Sequence, residues 1–404
     1  MKRLLFALLL PMSACMHDSS PDSVQATAAP VDCQVSEWSE WRDDMTSSCS
    51  AGMHMSMQTR LRTTIRQPSG SGAACPALSE QREVHVMCES AAVKIQVPPR
   101  GTAVYATLRV QDTAETVNED PTRFGDFRVP CAYSHMAYDD PIVFAGSPGA
   151  SHLHVFFGNT STDANSTLQS LDAGSSTCRG GTANRSAYWV PAIIDAGLNQ
   201  AVVPSETVTY YKDAGMLPPL SPIFGPPKGL RMIAGNPVTW DKEITWETTP
   251  DLNHWYHRFE CWSDKLPGGR SGKMQRIPAD CPVGGHILFE LYFPNCWDGK
   301  NLDSPNHRSH MAYSFYPKPC PKTHPVRIAQ ISFNIHVPVQ EGNDTSKWRL
   351  SSDAYDTSKP GGYSAHGDVW VDWDEDVEKA WMDGCIRVGA DCHAHMIGDN
   401  KMLY

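Results

Sequence analysis

The sequence predicts a mainly β protein with two modules. The first is small and stapled by disulfides, and the second is a large β-sandwich or jelly-roll-like domain with long loops and few short helices. Short apolar or alternating runs recur between clusters of turn-forming residues, and the 404 residues include 31 prolines and 29 glycines. Of the 13 cysteines, Cys15 stands apart, and the other twelve divide into even sets of four and eight along the chain.

Residues 1–15 are predicted to be a secretory signal that ends in a lipid-modified cysteine. Two basic residues precede the apolar run 4–10, and small residues precede Cys15. That run is far shorter than the roughly 20 residues of a membrane-spanning helix. Residues 12–15 resemble a bacterial lipobox, which implies a lipid on Cys15 and an anchor in the outer membrane or cell surface; an ordinary signal peptide and secretion are the alternative. Residues 16–31 are expected to form a flexible tether.

Residues 32–89 carry the pattern of a small extracellular module. Trp38 and Trp41 lie three apart and precede an arginine-rich run at 60–66. So small a domain cannot bury enough apolar surface, so arginines stacked on the tryptophans are expected to replace part of a core. The pattern resembles a thrombospondin type 1 repeat, which implies docking to extracellular protein or glycan; a spacer is the alternative. The resemblance also implies two disulfides, Cys33–Cys75 and Cys49–Cys88.

Residues 91–404 are predicted to form the large β domain, with helical periodicity mainly at 376–386. Its chemistry concentrates in three stretches. His152 and His154 lie two apart in a β-branched and aromatic run, so on a strand both project from one face. The other stretches are 296–310 and 363–368, which contains His366-Gly367-Asp368. Together they resemble the family called "DUF nineteen-ninety-six", found in secreted fungal and bacterial proteins and without an established activity.

Five side chains are predicted to converge as catalytic groups: His152, His154, His310, His366 and Asp368. Neighbouring imidazoles transfer protons near neutral pH or share a divalent metal, so His152 and His154 are also candidate metal ligands. A histidine hydrogen-bonded in the core is the alternative. His310 is preferred to His307 because it leads into a predicted strand. No other cofactor is expected.

Acidic and aromatic side chains near these stretches are the predicted substrate-binding residues. Carboxylates flank the scissile bond in glycoside hydrolases, a tyrosine can abstract a proton in a lyase, and indole rings stack on sugars. Turn capping by the acidic groups and ordinary core packing of the aromatic groups are the alternatives. The predicted residues are Asp140, Tyr188, Trp189, Trp297, Asp298, Asp303, Tyr363 and Trp370.

These features favour a cell-surface or secreted, glycan-directed protein. One class is a polysaccharide hydrolase or lyase that uses the histidine–aspartate cluster. The other is a non-catalytic adhesin that binds polysaccharide or extracellular glycoprotein. Contact with a membrane is expected only through the lipid anchor. The net charge of −11 and the lack of a glycine-rich phosphate motif make nucleic acid and nucleotides unexpected partners.

Overall fold

The computed structural model describes residues 30–43, 52–88, 95–119, 125–213, 222–235, 256–314, 318–393 and 395–404. The chain divides into two compact units, one of which includes Ser56–Val84 and the other His85–Tyr404. Both consist mainly of β-strands, which confirms the predicted fold class. The predicted signal, the lipidation site Cys15 and nearly all of the tether lie outside the described residues. Within the described part of the chain, none of the helices has the length and apolar character needed to cross a membrane.

The N-terminal part of the chain contains five strands: β1 (Gln34–Val35), β2 (Arg42–Asp43), β3 (Gly52–Leu61), β4 (Thr64–Arg66) and β5 (Ser79–Cys88). β1 pairs with β4, and β3 lies between β2 and β5. The Cys33–Cys75 disulfide is present as predicted. Cys49 lies outside the described residues, so the predicted Cys49–Cys88 pair is not described.

Stacked arginines and tryptophans replace a core in this small unit, as predicted. The Arg60 guanidinium carbon lies 4.9 Å from the Trp38 ring centre and 4.6 Å from that of Trp41. Arg62 lies 4.2 Å from Trp38, and Arg82 lies 4.3 Å from Trp41. Arg66, which belongs to the arginine run predicted to stack, is instead exposed on a strand paired with β1, and Arg82 takes the outer position.

The larger unit continues the strand numbering and contains two short α-helices, α1 (Leu168–Asp172) and α2 (Glu375–Trp381). A π-helical turn, Met382–Ile386, extends α2, so the helical periodicity predicted at 376–386 is confirmed. The 3-10 turns are Pro267–Gly269 and Thr345–Lys347. The strands are β6 (Val110–Asp112), β7 (Asn118–Glu119), β8 (Asp126–Ala137), β9 (His154–Gly158), β10 (Ala187–Pro191), β11 (Ile193–Asp195), β12 (Gln200–Ala201), β13 (Glu206–Lys212), β14 (Arg231–Gly235), β15 (His257–Trp262), β16 (His286–Tyr292), β17 (Cys296–Trp297), β18 (Met311–Ala312), β19 (Val326–Arg327), β20 (Gln330–Pro338), β21 (Trp348–Leu350), β22 (His366–Trp370), β23 (Ala390–Asp391), β24 (Met396–Gly398) and β25 (Lys401–Leu403).

One large sheet organises this unit. Its strand order is β14-β22-β10-β9-β8-β13-β20-β16-β15, with β7 and β23 attached beside β8. Neighbouring strands in this order are antiparallel. Both hairpins and long connections join them. Three smaller sheets of three strands each, β12-β11-β21, β18-β17-β19 and β24-β25-β6, complete the described strands of this unit.

Both faces of the large sheet are buried at β9. Val155 and Phe157 point into the main core, whereas Phe156 between them points to a second apolar cluster. That second cluster consists of Ile142, Phe156, Leu171, Ala187, Trp189, Ile233 and Trp370. It forms the apolar surroundings of the histidines described below.

The eight cysteines from Cys131 to Cys392 pair with one another, as their even number predicts. The four disulfides limit the freedom of the unfolded chain. They are Cys131–Cys178, Cys261–Cys281, Cys296–Cys320 and Cys385–Cys392.

Candidate functional site

Two strands, β9 and β22, carry His154, His366 and Asp368, and β10 lies between them. Asp140 and His152 lie in the connection between β8 and β9. Trp189 on β10 lies opposite Phe156 on one side and Asp368 on the other. Side chains alternate along a strand. His154 precedes Phe156 by two residues and His366 precedes Asp368 by two, so both histidines project from the same face. The prediction placed His152 and His154 on one strand. His154 begins β9, whereas His152 lies two residues before it in the preceding loop.

Gly367 allows β22 to approach the main core from the opposite face. A Cβ atom at this position would lie 2.5 Å from Leu291 Cδ2 and 2.7 Å from Val190 Cγ1, so any larger residue would push the strand away. The close approach holds His366 and Asp368, on either side of this glycine, against the other strands of the site.

Five ionisable side chains meet on this face: Asp140, His152, His154, His366 and Asp368. The ring centres of His152 and His154 are 4.2 Å apart, and that of His366 lies 5.0 and 6.0 Å from them. Each of the five is at most 4% exposed. The three histidines form one set in which one potential ligand atom per residue lies within 4.8 Å of the others. Asp140, His154 and Asp368 form a second set with the same spacing. These sets share His154, so the five residues form one cluster.

Backbone groups orient several members of this histidine–aspartate cluster. His154 Nδ1 lies 2.9 Å from the carbonyl oxygen of Asp139, and His366 Nδ1 lies 2.8 Å from that of Ser364. A carbonyl only accepts hydrogen bonds, so both Nδ1 atoms carry the proton and both Nε2 atoms carry a lone pair. Asp140 Oδ1 accepts two backbone N–H groups in the turn after β8, at 2.8 and 2.9 Å.

Burial controls the electrostatics of the cluster. It lowers the pKa of His154, against the opposing charge of Asp140, and so favours the neutral imidazole. Burial and then the charge of Asp140 raise the pKa of Asp368 well above its usual value, against Arg308. Among the described residues, neither carboxylate oxygen of Asp368 has a hydrogen-bond partner. An isolated ionised carboxylate in this position would be strongly unfavourable.

A pocket of about 180 Å³ opens onto the cluster. Asp140, His152, His366 and Asp368 line it, whereas His154 lies behind them. The remaining wall is part apolar and part polar. Its other lining residues are Val143, Phe144, Ser151, Ile233, Asn306, His307 and Arg308.

His307 is held in the pocket wall by a carboxylate. Its Nδ1 lies 2.9 and 3.1 Å from the two carboxylate oxygens of Asp303, which also pairs with Arg231 at 3.1 Å. Against the effect of burial, hydrogen bonds from His307 and the backbone of Ser304 hold the pKa of Asp303 below its usual value. His307 has a φ of 55°, a left-handed conformation that is uncommon for residues other than glycine.

The structure places His307, and not the preferred His310, in the pocket lining. His310 is buried outside the cluster, where Nε2 bonds the carbonyl of Arg231 at 2.7 Å and Nδ1 bonds Ser304 Oγ at 2.9 Å. Both of its ring nitrogens are therefore used in holding the loop together. The spacing of Asp303 and His307, four residues apart, was the sequence signal for the carboxylate–imidazole pair.

The predicted aromatic platform for a sugar is also corrected. Tyr188, Trp189 and Trp370 are at most 1% exposed, so a ligand cannot stack on them. The Tyr188 hydroxyl bonds Tyr211 at 2.9 Å, and the Arg231 guanidinium carbon lies 3.9 Å above the Trp370 ring. These side chains support the site from behind.

Three further predicted residues lie outside the pocket lining. Asp298 caps its turn by accepting the backbone N–H groups of Lys300 and Asn301 at 2.8 and 2.9 Å. Trp297 is half-buried and donates from Nε1 to the Asn301 carbonyl at 2.6 Å. Tyr363 is buried in a loop, where its ring contacts Tyr355. Asp303 acts on the pocket only through His307.

Fold and site together define a mainly β domain with a buried histidine–aspartate centre beside a small pocket. The model of the family described as "Domain of unknown function (DUF1996)" matches residues 140–373, which is more than half of the chain. The chain therefore belongs to this family, as the resemblance predicted. No solved structure matches the chain.

The N-terminal region is homologous to thrombospondin type-1 domains, which confirms the second predicted resemblance. It is similar to R-spondin-3 of Danio rerio, with 43% identity over 56 residues, 14% of this chain and 18% of the relative. It is also similar to thrombospondin type-1 domain-containing protein 7A of Homo sapiens, with 41% identity over 75 residues, 17% of this chain and 4% of the relative. The chain thus spans less than a fifth of either relative. This homology and the disulfides are consistent with an extracellular or secreted protein.

Proposed function

We propose that the chain is an extracellular enzyme that cleaves a glycan in the pocket beside the histidine–aspartate cluster. The observation that carries this proposal is the convergence of imidazole and carboxyl groups, from distant parts of the chain, on one cavity of about 180 Å³. Such groups perform proton transfer, and buried groups with shifted pKa values concentrate at functional sites. The pKa of Asp368 is raised and that of His154 is lowered, so each shift favours the neutral form of the side chain.

His307 is the group we assign to proton transfer with the substrate. Asp303 fixes its ring through Nδ1 at 2.9 Å, which is the arrangement by which a carboxylate holds an imidazole in one tautomer. The left-handed backbone of His307 supports this assignment, because such conformations persist where the surrounding structure enforces them and are common at active sites.

The pocket suits one unit of a longer chain. Its volume of about 180 Å³ is smaller than the roughly 300–1,000 Å³ of sites that enclose a whole drug-sized ligand. Asn306 and Arg308 add hydrogen-bonding groups to the wall, and the Arg308 guanidinium is anchored to the carbonyl of Gly235 at 2.8 Å. A fixed cation at this place favours a sugar that carries a carboxylate, such as a uronic acid.

The adhesin alternative has less support. A carbohydrate-binding strip needs exposed aromatic faces, and the aromatic residues predicted for that role are mainly buried. The thrombospondin type-1 region would bring the enzyme to its extracellular target, protein or glycan. Lipid attachment at Cys15 stays a prediction, which mass spectrometry of the mature protein would test.

The experiment uses the oxidised full-length protein and a panel of neutral and uronic-acid polysaccharides. Reducing ends report hydrolysis, and ultraviolet absorbance of unsaturated products reports elimination. We expect the wild type to cleave a uronate polymer and His307→Gln to lose at least the roughly 100-fold typical of a missing acid–base group. Asp303→Asn should lower kcat more than it changes KM.

His324→Gln is the matched control, because this histidine lies outside the pocket lining and bonds the same loop through the Ser309 carbonyl. Its activity should equal that of the wild type. If the wild type cleaves no polymer, or if His307→Gln cleaves as fast as the wild type, the proposal is wrong.

A further inference from the structure

The histidine–aspartate cluster buries two carboxyl groups, Asp140 and Asp368, and Arg308 supplies an opposing charge to Asp368. Asp368 is 1% exposed, and both of its oxygens are without a hydrogen bond among the described residues. Asp140 places a second carboxylate oxygen within 4.8 Å of it. Buried carboxylates of proteins are nearly always hydrogen-bonded, paired with a cation or bound to a metal. A metal ion bound in the cluster would give the Asp368 carboxylate a partner.

The histidines present the lone pairs that a metal needs. The backbone carbonyls of Asp139 and Ser364 hold the Nδ1 protons of His154 and His366. Metal-binding histidines characteristically donate their second ring nitrogen to a carbonyl or carboxylate, which fixes the tautomer and the ring orientation. His154 is fully buried, and its Nε2 has no hydrogen-bond partner in the described part of the chain.

We infer that His152, His154, His366 and Asp368 bind one divalent transition-metal ion, with Asp140 as the adjoining acidic group. Three imidazoles and a carboxylate favour zinc and its first-row neighbours over calcium or magnesium, which prefer all-oxygen sites. Ligand atoms around a tetrahedral ion at about 2.1 Å lie about 3.4 Å apart. The ligand atoms of the three histidines lie within 4.8 Å of one another, and those of Asp140, His154 and Asp368 do so as well. Because His154 belongs to both sets, an ion bound to it is close to both the histidines and the carboxyl groups.

The ion would be accessible from the pocket. His152, His366 and Asp368 line the cavity of about 180 Å³, so a water molecule or substrate oxygen could reach the ion as a fifth ligand. Metal binding does not depend on glycan cleavage and can be measured without it. Cleavage that is unaffected by a chelator would contradict the role of the ion in catalysis but leave the proposed function intact.

The test uses the full-length oxidised protein, stripped with a chelator and dialysed. Isothermal titration with Zn²⁺ gives stoichiometry and affinity, and visible absorption of the Co²⁺ form reports the ligand field directly. We expect one ion per chain, and a loss of affinity in His154→Gln and in Asp368→Asn that exceeds the roughly 10–100-fold effect of losing a supporting group.

The control is the double variant His393→Gln/His395→Gln, which removes two histidines that follow the C-terminal Cys385–Cys392 disulfide and lie outside the cluster. It should bind the ion as the wild type does. Circular dichroism identifies any variant that fails to fold, in which case the Co²⁺ spectrum of the wild type decides through the number of nitrogen ligands. The inference is overturned if the wild type binds no stoichiometric ion, if both cluster variants bind it unchanged, or if the control variant loses it.

Discussion

Glu378 on α2 should make the stability of the larger unit depend on pH. Burial, and then the charge of Glu375, raise the pKa of its carboxyl to about 7, against the opposing charge of Arg387. The carboxyl therefore ionises in the folded protein at a much higher pH than in the unfolded chain. The perturbation that isolates this effect is Glu378→Gln, which keeps the shape of the side chain and removes the titration.

The magnitude follows from the interval between the ordinary pKa of 4.5 and the value of about 7. That interval is about 2.5 pH units, and each unit corresponds to about 1.36 kcal/mol, so ionising Glu378 costs the folded state about 3 kcal/mol. The folded state binds the proton more tightly than the unfolded state. The stabilisation that proton binding by Glu378 gives the folded state is therefore fully present below pH 4.5 and is lost as the pH rises through about 7.

Urea unfolding with intact disulfides, near pH 5 and near pH 8, measures the effect as a difference between variant and wild type. The free energy of unfolding of Glu378→Gln, relative to that of the wild type, should be about 2–3 kcal/mol higher near pH 8 than near pH 5. Asp376→Asn, an exposed substitution on the same helix, should show little such gain. An equal difference between Glu378→Gln and wild type at both pH values would refute the reasoning.

Three further substitutions test the packing. Trp381→Ala removes a fully buried ring stacked on Phe127 at 5.0 Å, and should lower the free energy of unfolding by about 3–5 kcal/mol in urea denaturation. Gly367→Ala places a methyl group 2.5 Å from Leu291 Cδ2 and should cost about 1–3 kcal/mol in the same assay. Arg60→Ala empties the space between the two tryptophans of the small unit and should cost it about 1–2 kcal/mol, measured by tryptophan fluorescence.

Matched substitutions separate these effects from general ones. Gly272→Ala adds a methyl group where no atom lies within 4 Å, and Arg66→Ala removes an exposed arginine outside the stack. Both should be nearly neutral. Equal losses in a test variant and its control would show that packing is not the cause. For Trp381→Ala, a loss below about 1 kcal/mol would contradict the assigned burial.

Much of the site was predictable because it depends on local periodicity. His366 and Asp368 lie two apart on β22, and this period of two places both on one face of the strand. His152 lies two residues before His154 but outside β9, so its position depends on the loop. The sequence could not show that β10 brings the pairs together, because strand order depends on contacts between residues far apart in the chain.

Loop geometry and burial were harder to predict. His307 and His310 lie three apart in one loop. His307, with a left-handed backbone, lines the pocket, whereas His310 bonds the Arg231 carbonyl, and their spacing in the sequence does not distinguish them. Likewise, Trp189 and Trp370 are suited by residue type to bind a sugar. They are inaccessible because α1 and neighbouring strands cover their face of the sheet, and no local pattern encodes that cover.

The position of β8 has a consequence for how this domain can be divided. The family match begins at Asp140, just after β8 (Asp126–Ala137) ends, yet this strand lies between β9 and β13 in the interior of the large sheet. A fragment cut at the family boundaries would leave two facing strands with unpaired backbone groups. Such open edges pair with other chains. Excised in that way, the domain should aggregate even though every residue of its histidine–aspartate cluster is present.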